Sequence, residues 1–380
     1  MNKTIYLDYA ATAPVRPEVA KAMAPYAADM FGNAASIHSF GRKSATAVDR
    51  SRQQVSRWLN CQPTEIIFTA SGTEADNLAI KGLVGDYPDG HIVTTAIEHK
   101  AVLETCWWLE KAGIKVTYVK PNADGVVEVR QIEQAITPKT FLVSVMYANN
   151  EVGTIQPIRE IGLMIKRLNK TRKRRVYFHT DAVQAGCLLS LDTQILHTDM
   201  LTLSGHKLGG PKGVGALFIK TGVTLSPVIH GGGQERGLRS GTLNTAGIVG
   251  LAQALDSAQT KKNQETKRLK QLQKTLATAV AKLPGVTING SMTERLAYNL
   301  NFSVAGKTSD ELVIGLDRRG IAVSSTSACA AGNLEPSYVL QAMGAGEGRT
   351  RSSIRVTLGY LTKSSDITQL IAALRGLLSH

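Results

Sequence analysis

Two rhythms of apolar and polar positions alternate between residues 65 and 220. Short β-branched runs at 65–70, 91–95, 115–119, 141–146, 176–179, 200–203 and 215–219 read as strands. Helical spacing separates them, as in 73–83 and in 100–112, where Gly113 supplies a C-terminal cap. Such alternation predicts a mostly parallel sheet covered by helices on both faces, with ligands beyond the carboxyl ends of the strands. A long helical stretch at 245–283 has a polar middle and reads as a connector. Beyond Pro284-Gly285, strands at 286–289, 300–304 and 354–358 and helices at 310–319 and 366–378 predict a smaller α+β domain. The chain carries no internal repeat. Its one compositional oddity, Ser324-Ser325-Thr326-Ser327-Ala328-Cys329-Ala330-Ala331-Gly332-Asn333, consists of small residues and is expected to form a mobile loop.

Composition narrows the class. With 380 residues, 43 % hydrophobic and 19 % charged, the chain is ordinary globular protein of about two or three domain-sized units, and wholesale disorder is excluded. Its four cysteines (Cys61, Cys106, Cys187, Cys329) include no CxxC, which argues against a disulfide scaffold or a Cys-rich zinc site and for a reducing compartment. No metal is expected. Residues 1–8 lack a signal-peptide core, and no run approaches the ~20 apolar residues that cross a bilayer. A cytoplasmic protein without a membrane partner is the expectation.

The formal charge of +14 is densest in 166–175, with a looser cluster at Lys261, Lys262, Lys267, Arg268, Lys270 and Lys274. Neither cluster is interleaved with aromatics that stack bases, so direct nucleic-acid binding is not expected. Solvated helix faces come first, then a docking patch for an acidic partner.

Three strand ends hold chemistry. In Ala70-Ser71-Gly72-Thr73-Glu74-Ala75 a strand passes straight into a helix whose unpaired N–H groups suit an anion, or into a turn capped by Ser71 or Thr73. His179-Thr180-Asp181 puts a carboxylate at the ligand edge, where a structural cap is equally open. In Leu203-Ser204-Gly205-His206-Lys207-Leu208-Gly209-Gly210 a lysine among small residues has the setting of a Schiff-base amine. A phosphate cup, an Asp for a ring nitrogen and such a Lys are together what pyridoxal phosphate requires.

The sequence resembles the cysteine desulfurases, from Tyr6-Leu7-Asp8-Tyr9-Ala10-Ala11-Thr12 to about Gly359. The shared motifs are Thr73-Glu74-Ala75-Asp76-Asn77, Glu98-His99-Lys100, Asn149-Asn150-Glu151-Val152-Gly153, Ser204-Gly205-His206-Lys207, Arg239-Ser240-Gly241-Thr242 and Leu334-Glu335-Pro336-Ser337-Tyr338. The resemblance implies pyridoxal-phosphate fold type I: an α/β large domain with a mostly parallel seven-stranded sheet, at 15–260, and a smaller α+β domain, at 1–14 and 261–380. It implies that Lys207 holds pyridoxal 5'-phosphate and moves the substrate's α-proton, that Asp181 pairs with the ring nitrogen, and that Gln184 and Asn150 bond near the phenolic oxygen. Gly72, Thr73, Ser204 and His206 would hold the phosphate, with Thr242 reaching the phosphate of the neighbouring subunit of a homodimer. His99 would stack on the ring; Arg355, with Asn33 and Asn150, would grip the carboxylate of L-cysteine. Cys329 would be the thiolate that takes the sulfur as a persulfide. The loop from Ser324 to Glu335 matches the family's long-loop class, which delivers sulfur to a scaffold protein for iron–sulfur cluster assembly or thiolation. A selenocysteine or cystine lyase on the same fold, or a non-catalytic sulfur-transfer subunit, are the alternatives. Taken alone, Cys61, Cys106 and Cys187 read as packed thiols, His99 as a helix-entry residue and Arg355 as a surface rung. Ala34 stands where the family usually has Pro after Asn33, and the chain ends at His380 without the family's frequent C-terminal tail, which bears on scaffold docking.

Overall fold

A computed structural model describes residues 4–325 and 336–378; the expectations for Cys329 and its loop lie outside the described residues. Seven strands form the central sheet, in the order Ile66–Thr69, Gly215–Ile219, Met200–Ser204, Tyr177–Asp181, Thr140–Ser144, His91–Thr95 and Lys115–Val119. Only Gly215–Ile219 runs against its neighbours; the other pairings are parallel. The carboxyl ends of the remaining six strands therefore share one edge.

Side-chain alternation sends each strand into two cores. Ile66, Val93, Val143, Leu201 and Phe218 join one cluster with residues of the helices Ser39–Leu59, Ile158–Leu168 and Thr245–Thr260. Their neighbours Ile67, Ile92, Leu142, Met200 and Leu217 join another with the helices Gly72–Val84 and Lys100–Lys111. Burial on both faces is why these strands are near-continuous apolar runs.

A third cluster joins Ile5 and Leu7 to residues between Leu269 and Leu374. It packs under a four-stranded antiparallel sheet ordered Ser324–Ser325, Ser353–Thr357, Asn299–Val304 and Val286–Asn289. The expected continuous helix at 245–283 is two helices, Thr245–Thr260 and Lys262–Val280, broken at Lys261. The first buries Ile248, Leu251 and Leu255 in the first cluster, and the second sends Leu269, Leu276 and Val280 into the third. One straight rod does not serve both cores. The strand Ser353–Thr357 is wholly buried, so Arg355 is no surface rung.

Candidate active site

A cavity of about 300 Å³ opens at the carboxyl edge of the sheet. It collects Gly72, Thr73, His99, Asn150, Asp181, Gln184, Ser204, His206, Lys207 and Arg355, residues spread over nearly three hundred positions of chain. Ala10 and Ala11 close it from the N-terminal segment, and Ser324 and Ser325 from the smaller sheet.

Each side chain is fixed by its element. Ser71 caps the helix Gly72–Val84 by accepting the N–H of Glu74 at 3.1 Å. The N–H groups of Gly72 and Thr73 fall outside the intrahelical ladder and carry the positive end of the helix dipole. A Cβ at residue 72 would stand 2.9 Å from Val183 Cγ2 and 3.3 Å from Ser204 Cβ, so glycine lets helix and strand ends meet here. Arg239 bonds Glu74 at 2.9 Å and ties the loop that carries Thr242 to this helix start.

Asp181 ends its strand and accepts the N–H of Val183 at 2.8 Å, which opens a turn; no helix follows there for it to cap, since the next, Thr193–Leu196, starts later and is capped by Asp192. Burial raises its pKa, while the Lys207 cation pulls it back. Lys207 Nζ donates to the carbonyls of Ala10 at 2.6 Å and Ala11 at 2.7 Å. Gln184 donates to Ala10 O at 3.1 Å and accepts from the Tyr298 hydroxyl at 2.5 Å, which locks its amide.

His99 is the N-cap of Lys100–Lys111 and a wall of the cavity at once. Its Nδ1 accepts the N–H of Ala101 at 3.1 Å. Burial, helped by the Lys207 charge, pushes its pKa down to about 4, so the ring is neutral and its proton sits on Nε2. His206 is likewise held near 4 by burial and by Lys207 and Lys212. Arg355 donates from Nη1 to Asn150 O and from Nη2 to Asp8 Oδ1, both at 2.9 Å, and its Nε has no partner.

Two expected site residues stand apart. Asn33 is exposed and spends its Oδ1 on the N–H of Ala35, and Thr242 is exposed; neither lines the cavity in this chain. Several residues with roles here carried no assignment in the sequence. Asp8 and Asp76 lay inside quoted motifs, but nothing local told that one meets Arg355 and the other enters the cavity. Tyr298 gave no signal.

The model of the class-V aminotransferases matches residues 5–370. The chain belongs to the class-V aminotransferase family. Relatives include proteins named cysteine desulfurase IscS from Clostridium botulinum, 46 % identical with 98 % of this chain and 94 % of the relative covered, and from Methanosarcina thermophila, 43 % identical with 97 % and 91 % covered. Among solved structures, a NifS-like protein superposes with a TM-score of 0.93 at 35 % identity, covering 99 % of both chains. A structure of SspA in complex with cysteine gives 0.81 at 38 % identity, covering 93 % of this chain and 99 % of that one.

Class-V aminotransferases depend on pyridoxal 5'-phosphate, and the cavity suits it. Asp76 Oδ1, Asn150 Oδ1 and Arg355 Nε, all in its walls, are buried without hydrogen-bond partners, a cost that a polar group in the cavity would relieve. The cavity joins a lysine, a buried carboxylate and the start of a helix, which is the donor set that an aldehyde, a ring nitrogen and a phosphate call for.

Proposed function

We propose that this class-V aminotransferase is a cysteine desulfurase: L-cysteine and an acceptor thiol give L-alanine and a persulfide. When bound, pyridoxal 5'-phosphate supplies a covalent hold on the amino group of cysteine and an electron sink for breaking bonds at its carbons.

The chain's own groups would divide the remaining work. Gly72, Thr73, Ser204 and His206 would hold the phosphate, and Asp181 would face the ring nitrogen with Gln184 and Asn150 near the phenolic oxygen. The Lys207 amine, once released from Ala10 and Ala11, would carry the cofactor and move the proton at the α-carbon. Neutral His99, its tautomer set by Ala101, would lie over the ring with an N–H to offer. Arg355 would grip the substrate carboxylate, having a free Nε and a guanidinium already oriented by Asp8.

Cys329 would attack the sulfur. The other thiols are poor candidates: burial pushes Cys61 and Cys106 up to about 12 and Cys187 up to about 11, so all three stay protonated at neutral pH. The persulfide would then pass to an acidic scaffold protein. A homodimer would bring Thr242 to the neighbouring site, the large and small domains would divide at 15–260 against 1–14 with 261–380, and the reaction would run in the cytoplasm. Among the described residues no helix is long and apolar enough to cross a membrane.

The observation that carries the reading is the convergence of Lys207, Asp181, His99 and Arg355 on one cavity in a chain of this family. Cys329→Ser tests it: the variant should still bind cofactor and cysteine but lose sulfide and alanine release. Undiminished turnover would overturn the assignment of the nucleophile.

A further inference from the structure

The opposite, amino edge of the seven-stranded sheet holds a second concavity, of about 360 Å³. Arg175 stands just before the strand Tyr177–Asp181, Asp199 just before Met200–Ser204, and Lys220 just after the antiparallel strand Gly215–Ile219. Lys166 enters from the helix Ile158–Leu168, and His197 closes the short helix Thr193–Leu196 in a left-handed conformation, φ 55°. Five elements thus bring three cations, an imidazole and one carboxylate to one hollow. Two of the cations come from the basic run 166–175, which the desulfurase reading leaves unused.

Charge compensation inside the hollow is incomplete. Its one carboxylate, Asp199, is already engaged: Oδ1 takes Arg175 Nη2 at 2.7 Å and Oδ2 takes the N–H of Phe178 at 3.0 Å. Among the described residues no carboxylate lies within ion-pair distance of Lys166 or Lys220. Glu65 feels Lys220 at longer range, but its oxygens are occupied by the N–H groups of Gln62 and Thr221 and by the Thr221 hydroxyl. The excess field is felt by His197, whose pKa is lowered by burial and then by Lys166, Arg159 and Lys220.

We propose that this hollow binds a small, multiply charged phosphate anion, held between Lys166 and Lys220 with Arg175 and His197 as further donors. Two flexible ammonium groups lining one concavity suit a compact dianion. Arg175 keeps its bond to Asp199 and offers its other nitrogen. The site is separate from the cofactor cavity, being on the other edge of the same sheet, and none of its residues lines that cavity.

Pyrophosphate titrated calorimetrically into the cofactor-loaded full-length protein, at fixed ionic strength, tests this. Loaded cofactor blocks the phosphate cup of the active site. Saturable binding is expected, weakened at least tenfold in the Lys166→Ala/Lys220→Ala double variant and retained in Lys166→Arg/Lys220→Arg. Cysteine turnover of the alanine variant without pyrophosphate should equal that of the parent protein, which also shows that it folds. The His197 ring signals should titrate at higher pH once pyrophosphate is bound, because the anion offsets the lysine field. Absence of saturable binding, equal affinity in the alanine variant, or an unmoved His197 titration would each overturn the proposal.

Discussion

At the carboxyl edge of the sheet, Asp181, Asp76 and Glu98 are buried, and burial raises the pKa of each. At the amino edge, Asp89 sits in the open between Lys139 at 3.1 Å and Arg174 at 3.3 Å, and those bonds lower its pKa. The same strands end at both edges, so strand geometry does not make the difference. Cover does: Ala10, Ala11, Ser324, Ser325 and Arg355 line the cavity at the carboxyl edge, and Asp76, Glu98 and Asp181 are buried there. Where the roof exists, charges interact strongly and are expensive; where it is missing, solvent screens them. A site that must tune protonation belongs under the roof.

The comparison is tested hardest at Lys207. Lys207→Ala should lower cysteine turnover by at least about 10⁴-fold and abolish the visible absorbance of covalently held cofactor. Turnover within tenfold of the parent would break the picture of a lysine-centred site. Next comes the roof itself. Arg355→Ala should cut kcat/KM about 10²- to 10³-fold, chiefly through KM, and lower the melting temperature because Asp8 loses its partner in a largely buried pair, a defect of about 3 kcal/mol or more. Arg355→Lys should recover only part of the binding, since a point charge does not reproduce the planar fork.

Protonation gives a subtler test. Burial pushes Glu98 up to about 8, against 4.5 in the unfolded chain, so between those values the folded state holds a proton that the unfolded state has released. Its contribution to stability therefore falls as pH rises from about 5 to 8. Glu98→Gln should gain melting temperature relative to the parent over that range, by about 5 °C at pH 8 and little at pH 5. A pH-independent difference would mean that Glu98 is not held in water-free surroundings. At the amino edge, Asp89→Asn should move the melting temperature by no more than about 1 °C. A large drop there would erase the contrast between the edges.

Much of the large sheet was legible along the chain. The strands at 91–95, 115–119 and 215–219 were bounded to the residue, because β-branched and apolar runs are punctuated there by Gly or charge. The break at Lys261 was not legible, since the helical pattern continues on both sides while the target of the apolar face changes. In the site, Gly72, Asp181 and Lys207 stood out because strand ends and small-residue surroundings are local features. Arg355 looked like a surface rung because its burial depends on Asp8 and Asn150, residues more than two hundred positions away.

The sequence by itself determined the alternation of strands and helices, the strand ends that carry Ser71, Asp181 and Lys207, and the family, because these rest on contiguous residues. The tertiary structure alone decided which distant groups meet. Lys207 touches Ala10, Gln184 touches Tyr298, and His99 is both cap and cavity wall. It also decided which charges are desolvated, because exclusion of water depends on the roof that packing builds over them and not on any local run of residues.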